Sequence, residues 1–273
     1  MSLVFTLCAD DYGMTEGVSR GILEAASAGR INAASAMTSM ADWARAAQAW
    51  REVSPPAALG LHLNLTLGAP LGVMPQLAPG GAFPAIAQLL RQTKLPQDEI
   101  AAEFTRQITA FTAAAGRLPT HVDGHQHVHV LRGVREALFH ALRDARLNGV
   151  SIRDSGDRLL RLVRRPCIGK ALSVAVLARG FAGAARDSGF VVNDGFAGFS
   201  AFDPAADPEP AFADFLSAPG RNHLVMCHPG HVDDALRALD PVTAARENEL
   251  RFLLSDRWPQ LLAEKVAALG KAA

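Results

Sequence analysis

Short apolar runs alternate with longer helix-patterned stretches about seven times along the chain, and this alternation constrains the fold more than any other feature. Residues 3–9, 32–37, 59–65, 120–123, 150–153, 190–192 and 224–227 read as strands. Residues 16–28, 96–115, 134–145 and 243–254 read as helices, and 258–269 as a further one. Residues 158–185 are mostly helical but interrupted at Pro166 and Gly180. Gly29 and Gly116 stand where helices stop, and Asp42 stands where the alanine-rich segment to Trp50 starts. Strands joined through helices pair in parallel by crossover. The expected architecture is α/β, a distorted, roughly seven-stranded β/α barrel, as a single domain over residues 1–273.

In a barrel of this kind reactive groups gather where the strands end. The first strand ends in Asp10 and Asp11, and the third carries His62. The fourth runs into HVDGHQHVH, which holds Asp123, His125, His127 and His129. The fifth ends at Arg153 and Asp154, and the last at His228 in CHPGH. Of nine histidines, only His140 falls clearly on a helix. In LGLHLNLT, His62, Asn64 and Thr66 alternate with leucines, which sends the polar set toward the barrel mouth.

Taken alone, His62 reads as a hydrogen-bonded core histidine. Asp11 and His125 at equivalent strand ends change that reading. One carboxylate and two imidazoles form a ligand set that leaves positions on a metal open, as catalytic sites require. Asp123, His127 and His129 are expected behind the ligands, fixing ring orientation, or at the substrate. Arg153 reads equally as a partner of Asp10 or substrate and as an exposed pair with Asp154. His121 and His223 read as structural, His231 as rim or surface, and Cys227 as a small buried hydrophobe.

Composition excludes other classes. Lysine plus arginine total 27 and aspartate plus glutamate total 27, with aromatics at 6%, so no nucleic-acid partner is expected. Three distant cysteines, Cys8, Cys167 and Cys227, make no disulfide framework and fit a reducing, cytoplasmic compartment. The run before Asp10 reads as a strand rather than a signal peptide. No stretch reaches about 18 uninterrupted apolar residues, so no membrane span is expected. Residues 68–84 and 194–210 read as long loops suited to cleft walls. Arg153, Arg158, Arg161, Arg164 and Arg165 precede an apolar helix. A solvated face is the plain reading; peripheral membrane contact is the functional one.

The segments CADDYG, GLHLNLT, THVDGHQHVH and MCHPG resemble those of the YdjC-like carbohydrate deacetylases, the ChbG/HpnK family, in family order. The likeness runs to about Glu249 and is weakest over residues 157–185. It implies a β/α barrel similar to polysaccharide deacetylases and removal of an N-acetyl group from an amino sugar or chitooligosaccharide. One divalent metal is implied as cofactor; the two imidazoles favour a zinc-like ion, and the resemblance allows magnesium. Carried over by motif, Asp11, His62 and His125 are the metal ligands, Asp10 the catalytic base and His228 the general acid. Tyr12 and Gln126 stand where the family often has phenylalanine and histidine; neither is a proposed ligand. The expected partner is an N-acetylated sugar, with a homodimer left open. A lipid-linked amino sugar as substrate, a metal phosphoesterase and a non-catalytic sugar-binding module remain as alternatives.

Overall fold

The computed structural model of the protein describes residues 4–271. The chain opens with β1 (Val4–Tyr12), α1 (Glu16–Ser27), β2 (Ala33–Ala36), α2 (Trp43–Val53) and β3 (Ala58–Leu63). It continues through α3 (Ile86–Leu89), α4 (Gln97–Ala115), β4 (His121–Gly124), a 3-10 turn (His125–Val130), α5 (Val134–Asp144) and β5 (Ser151–Ile152). Three helices follow, α6 (Leu159–Leu162), α7 (Ile168–Leu177) and α8 (Phe181–Asp187), then β6 (Val191–Val192) and β7 (Gly195–Ala197). The chain closes with α9 (Pro208–Phe215), β8 (Asn222–Cys227), α10 (Asp234–Leu239), α11 (Ala244–Leu254) and α12 (Arg257–Lys271).

Among the described residues eight strands form one parallel sheet in the order β6-β5-β4-β3-β2-β1-β8-β7. The two edge strands are nearly consecutive in the chain, with only Asn193 and Asp194 between them. Three Cα steps reach about 11 Å, so the sheet must curl until its edges face each other. Asn193 tacks the seam: its Nδ2 donates to the carbonyls of Asp154 (2.9 Å) and Gly195 (3.1 Å). The β/α architecture expected from the alternation is present, with eight strands rather than about seven. The extra one, β7, lies inside the segment read as a loop and is too short to display a two-residue period.

Burial explains why these elements hold. α4 turns Ile100, Phe104, Ile108 and Phe111 onto the sheet side, and Gly116 ends it with φ 69°. Burying each such side chain contributes roughly 1.5–3 kcal/mol. β2 is short and wholly buried, and its alanines let the neighbouring strands' larger side chains fill the interior.

Three local expectations are corrected. Asp42 does not cap α2; its carboxylate binds the Ser19 hydroxyl (2.7 Å) and Arg45 (2.7 Å) instead. Asn64 and Thr66 lie past the end of β3, not on a strand face. There Asn64 Oδ1 accepts from the backbone N–H groups of Thr66 and Leu67, closing a turn in the manner of short amides. Residues 68–84 are not a cleft wall either. Glu103 and Glu99 of α4 accept backbone N–H groups of Leu71, Gln76 and Leu77 and hold that loop against the helix. Among the described residues no single helix is long and apolar enough to cross a membrane, although α7 and α8 pass that test together as a bent pair.

Candidate metal centre and active site

The carboxyl edge of the sheet opens on a cavity of about 410 Å³ lined by Asp10, Asp11, His62, His125, His127 and His228 among others. Alternation along a regular strand would send Asp10 and Asp11 to opposite faces. β1 avoids this with an irregularity between Ala9 and Tyr12, where Asp11 takes φ 73°. Both carboxylates therefore reach the same cavity. A left-handed aspartate costs on the order of 1–3 kcal/mol and persists only where surrounding contacts impose it.

A second distortion places the histidines. Gln126 (φ 51°) and His127 (φ 60°) are consecutive left-handed residues just after β4. His125 thereby meets Asp11, with Nδ1 3.1 Å from Oδ1. His62 approaches the same oxygen with Nε2 at 3.4 Å. The two imidazole planes stand 74° apart, with centroids 5.7 Å from each other. One oxygen and two nitrogens thus converge within 4.8 Å of one another, all on buried residues. Cys8, His121 and Asp123 also converge, but Ser35 sits among them, its hydroxyl bonded to Asp123 and 3.0 Å from His121 Nε2.

Each member of the cluster has a partner that fixes it. Asp123 Oδ1 lies 2.7 Å from His62 Nδ1, which leaves Nε2 for the cavity side. Ser35 donates to the other Asp123 oxygen at 2.7 Å, and Arg153 reaches that oxygen too. Arg153, 2% exposed, grips both oxygens of Asp10 at 2.6 Å. Arg246, also 2% exposed, donates to Asp11 Oδ2 at 2.8 Å and to Asp240 at 3.2 Å. The backbone N–H of His228 donates to Glu249 at 2.6 Å, while its Nδ1 is buried with no partner.

The electrostatics separate the two adjacent aspartates. Burial would raise Asp11, but Arg246 and the hydrogen bonds to His125 and His62 hold its carboxyl well below the usual range. Asp10 and Asp123 share one guanidinium. Burial, with Asp123 beside it, pushes Asp10 up, while Arg153 and His62 hold Asp123 down against its own burial. Burial would lower His62, yet Asp123, Asp10 and the bonds to Asp11 and Asp123 raise it to about 10. Burial pushes His228 down to about 3 and Glu249 up to about 7.

The expected site residues Asp10, Asp11, His62, His125 and His228 are brought together around this cavity, with Asp123 and Arg153 directly behind. Arg153 is not an exposed partner of Asp154. His129 is not behind a ligand. Its Nε2 lies 2.8 Å from the Arg153 carbonyl oxygen and its ring packs on Phe181, because the left-handed pair aims it away from the cavity. His127 lines the cavity but bonds Ser155 rather than a ligand histidine. His223 and His121 are held by a backbone carbonyl and by hydroxyl groups, His231 pairs with Glu24, and Cys227 is buried. Arg161 and Arg165 turn inward onto Asp157 rather than forming a solvated face.

Arg246, Glu249, Lys170 and Phe202 were not anticipated. For the first two a signal existed: Arg246, Glu249, Leu250 and Leu253 share one helical stripe, so two charges sit where apolar residues belong. Lys170 sits on α7, where a lysine reads as solvated, and Phe202 comes from the loop at 194–210, which was expected to wall the cleft with no residue singled out.

Fold and site together define a curled parallel β/α barrel with a carboxylate–bis-imidazole cluster at its open end. The chain belongs to the YdjC-like protein family, which matches residues 4–264. It is 32% identical over 277 residues to a chitooligosaccharide deacetylase of Citrobacter koseri, covering 99% of this chain and 98% of that protein. It is 33% identical over 273 residues to one from Klebsiella pneumoniae subsp. pneumoniae, covering 94% and 96%. A solved structure from Enterococcus faecalis V583, provisionally assigned to cellobiose-phosphate cleavage, superposes with a TM-score of 0.76 at 20% identity. It covers 97% of this chain and 95% of that one, and shares the fold.

Proposed function

We propose that this protein is a metal-dependent carbohydrate deacetylase that hydrolyses the N-acetyl group of an amino sugar or chitooligosaccharide. The observation that carries the reading is the convergence of Asp11, His62 and His125 beside an Arg-held Asp10. The names of the curated relatives point to the same substrate class. The donor set fits one divalent ion: a carboxylate oxygen and two imidazole nitrogens, the His62 ring held by Asp123 and the Asp11 carboxylate by Arg246. A cation bound there supplies Lewis acidity toward the acyl oxygen and toward water.

The chain's own groups do the remaining work. Water adds to the acetyl carbon, the C–N bond breaks, and acetate and a free amine leave. Asp10, pushed up by burial and fixed through both oxygens by Arg153, accepts the proton of the attacking water. His228 lies on the same cavity and hands a proton to the departing nitrogen. Burial leaves it unprotonated near neutrality, so the proton it passes to nitrogen is the one released by the attacking water in the same turnover. Glu249 fixes the backbone from which that imidazole projects.

Acetate release from N-acetylated mono-, di- and oligosaccharides tests the reading. The protein is stripped of metal and resupplied in turn with zinc, magnesium, manganese, cobalt or nickel. Release that returns with a divalent ion is the expected result. Release of phosphate from sugar phosphates without acetate, or tight sugar binding with no turnover under any ion, would overturn it.

A further inference from the structure

We propose that the outer face of α6 and α7 is a docking surface for an anionic lipid bilayer. The two helices are sharply sided. On the inner side Leu162 and Ala171 pack with Phe196, Phe199 and Met226 in a small core of their own. On the outer side Leu159 is 63% exposed, Leu160 80% and Val176 72%, with Val163, Ile168 and Leu177 also open to solvent. Isolated exposed aliphatics are ordinary, but five on two short neighbouring helices, with Val163 at the end of the first, form a patch that a solvated surface does not need.

Charge selects the occupant. Residues 158–186 carry seven arginines and lysines and no aspartate or glutamate. Arg161 and Arg165 are consumed inside, on Asp157 and on the carbonyls of Asp194, Asp214 and Ser217. Lys170 leans into the cavity over Phe202, while Arg158, Arg164, Arg179 and Arg186 are exposed, and among the described residues none of these four pairs with a carboxylate. A two-fold dimer through this face would set those cations against their own copies. A bilayer with anionic headgroups satisfies both features: aliphatic side chains enter the acyl boundary while guanidinium groups meet phosphate. α7 also supplies Lys170 and Val174 to the cavity wall, so docking brings the rim of the cavity to the membrane surface. The proposal concerns binding alone and does not depend on which reaction the cavity performs.

The test is co-sedimentation of the full chain with vesicles of mixed phosphatidylglycerol and phosphatidylcholine, beside vesicles of phosphatidylcholine alone. Binding to the anionic vesicles only, weakening as salt is raised, is expected. The double variant Leu160→Asp, Val176→Asp loses that binding by at least about tenfold, and Arg158→Gln with Arg164→Gln loses roughly tenfold. Both keep the parent's melting temperature, since the side chains touch no core. Failure to bind anionic vesicles, or binding untouched by either double variant, overturns the proposal. So does a dimer in sedimentation velocity that Leu160→Asp, Val176→Asp dissociates, which would make a second copy the occupant.

Discussion

The cavity has two unlike walls. One is built from strand ends, where Asp10, Asp11, His62 and His125 each have a fixed partner. The other is built from helices and loops, where Lys170, Val174, Phe202 and residues 239–242 face the first across open space. Asp240 is tied to the first wall through Arg246, but the contacts of Lys170 and Phe202 are soft, the ammonium lying 4.6 Å from the centre of the ring. A rigid sheet edge suits chemistry that tolerates little displacement, and a looser wall suits recognition of what is bound. The difference teaches where substitutions should act on reaction and where on binding.

The largest effect is expected at Asp11. Asp11→Asn removes the shared oxygen charge and should lower affinity for a divalent ion by well over the roughly 100-fold that loss of an outer partner costs. Metal content and acetate release read it, and retained metal would break the assignment of this wall to chemistry. Asp10→Asn is next: acetate release falls about 10²- to 10⁴-fold with the ion still bound. Full activity in that variant removes Asp10 as base.

The pH dependence sharpens the same side. With its pKa raised to about 10 by Asp123 and Asp10 against the pull of burial, the ion-free His62 carries a proton near neutrality. An arriving cation must displace it, so affinity rises with pH, by about a hundredfold between pH 6 and pH 8. Calorimetric titration in buffers of different ionisation heat should find about one proton released per ion; a flat profile contradicts the ligand role of His62. Asp123→Asn should weaken metal binding by about 10- to 100-fold through loss of the His62 anchor. The smallest effect belongs to the other wall. Lys170→Met should change KM by less than about tenfold and leave metal affinity unmoved, and a loss of metal there would erase the contrast between the walls.

The same contrast governs what the sequence discloses. Strand–helix alternation made the barrel legible, and polar residues at successive strand ends, matched to the family's motifs, made the Asp10, Asp11, His62, His125 and His228 set legible, because a parallel β/α sheet gathers its strand ends at one edge. Backbone detail was not legible. Nothing in ADDYG announces that Asp11 takes a left-handed conformation, and nothing in HQHVH says that His125 turns inward while His129 turns behind. Charges on helices were ambiguous for a physical reason: a lysine or arginine there is usually solvated, and only its place on the apolar stripe betrays one like Arg246. Three-residue β7 lacked enough length to show any period.

The central claim is that Asp11, His62 and His125 hold one divalent cation. Anomalous diffraction from crystals grown with manganese or zinc measures it directly. A single peak within bonding distance of Asp11, His62 and His125 is the predicted result. Density elsewhere, for instance between Cys8, His121 and Asp123, or full acetate release by the exhaustively chelated protein, would contradict it.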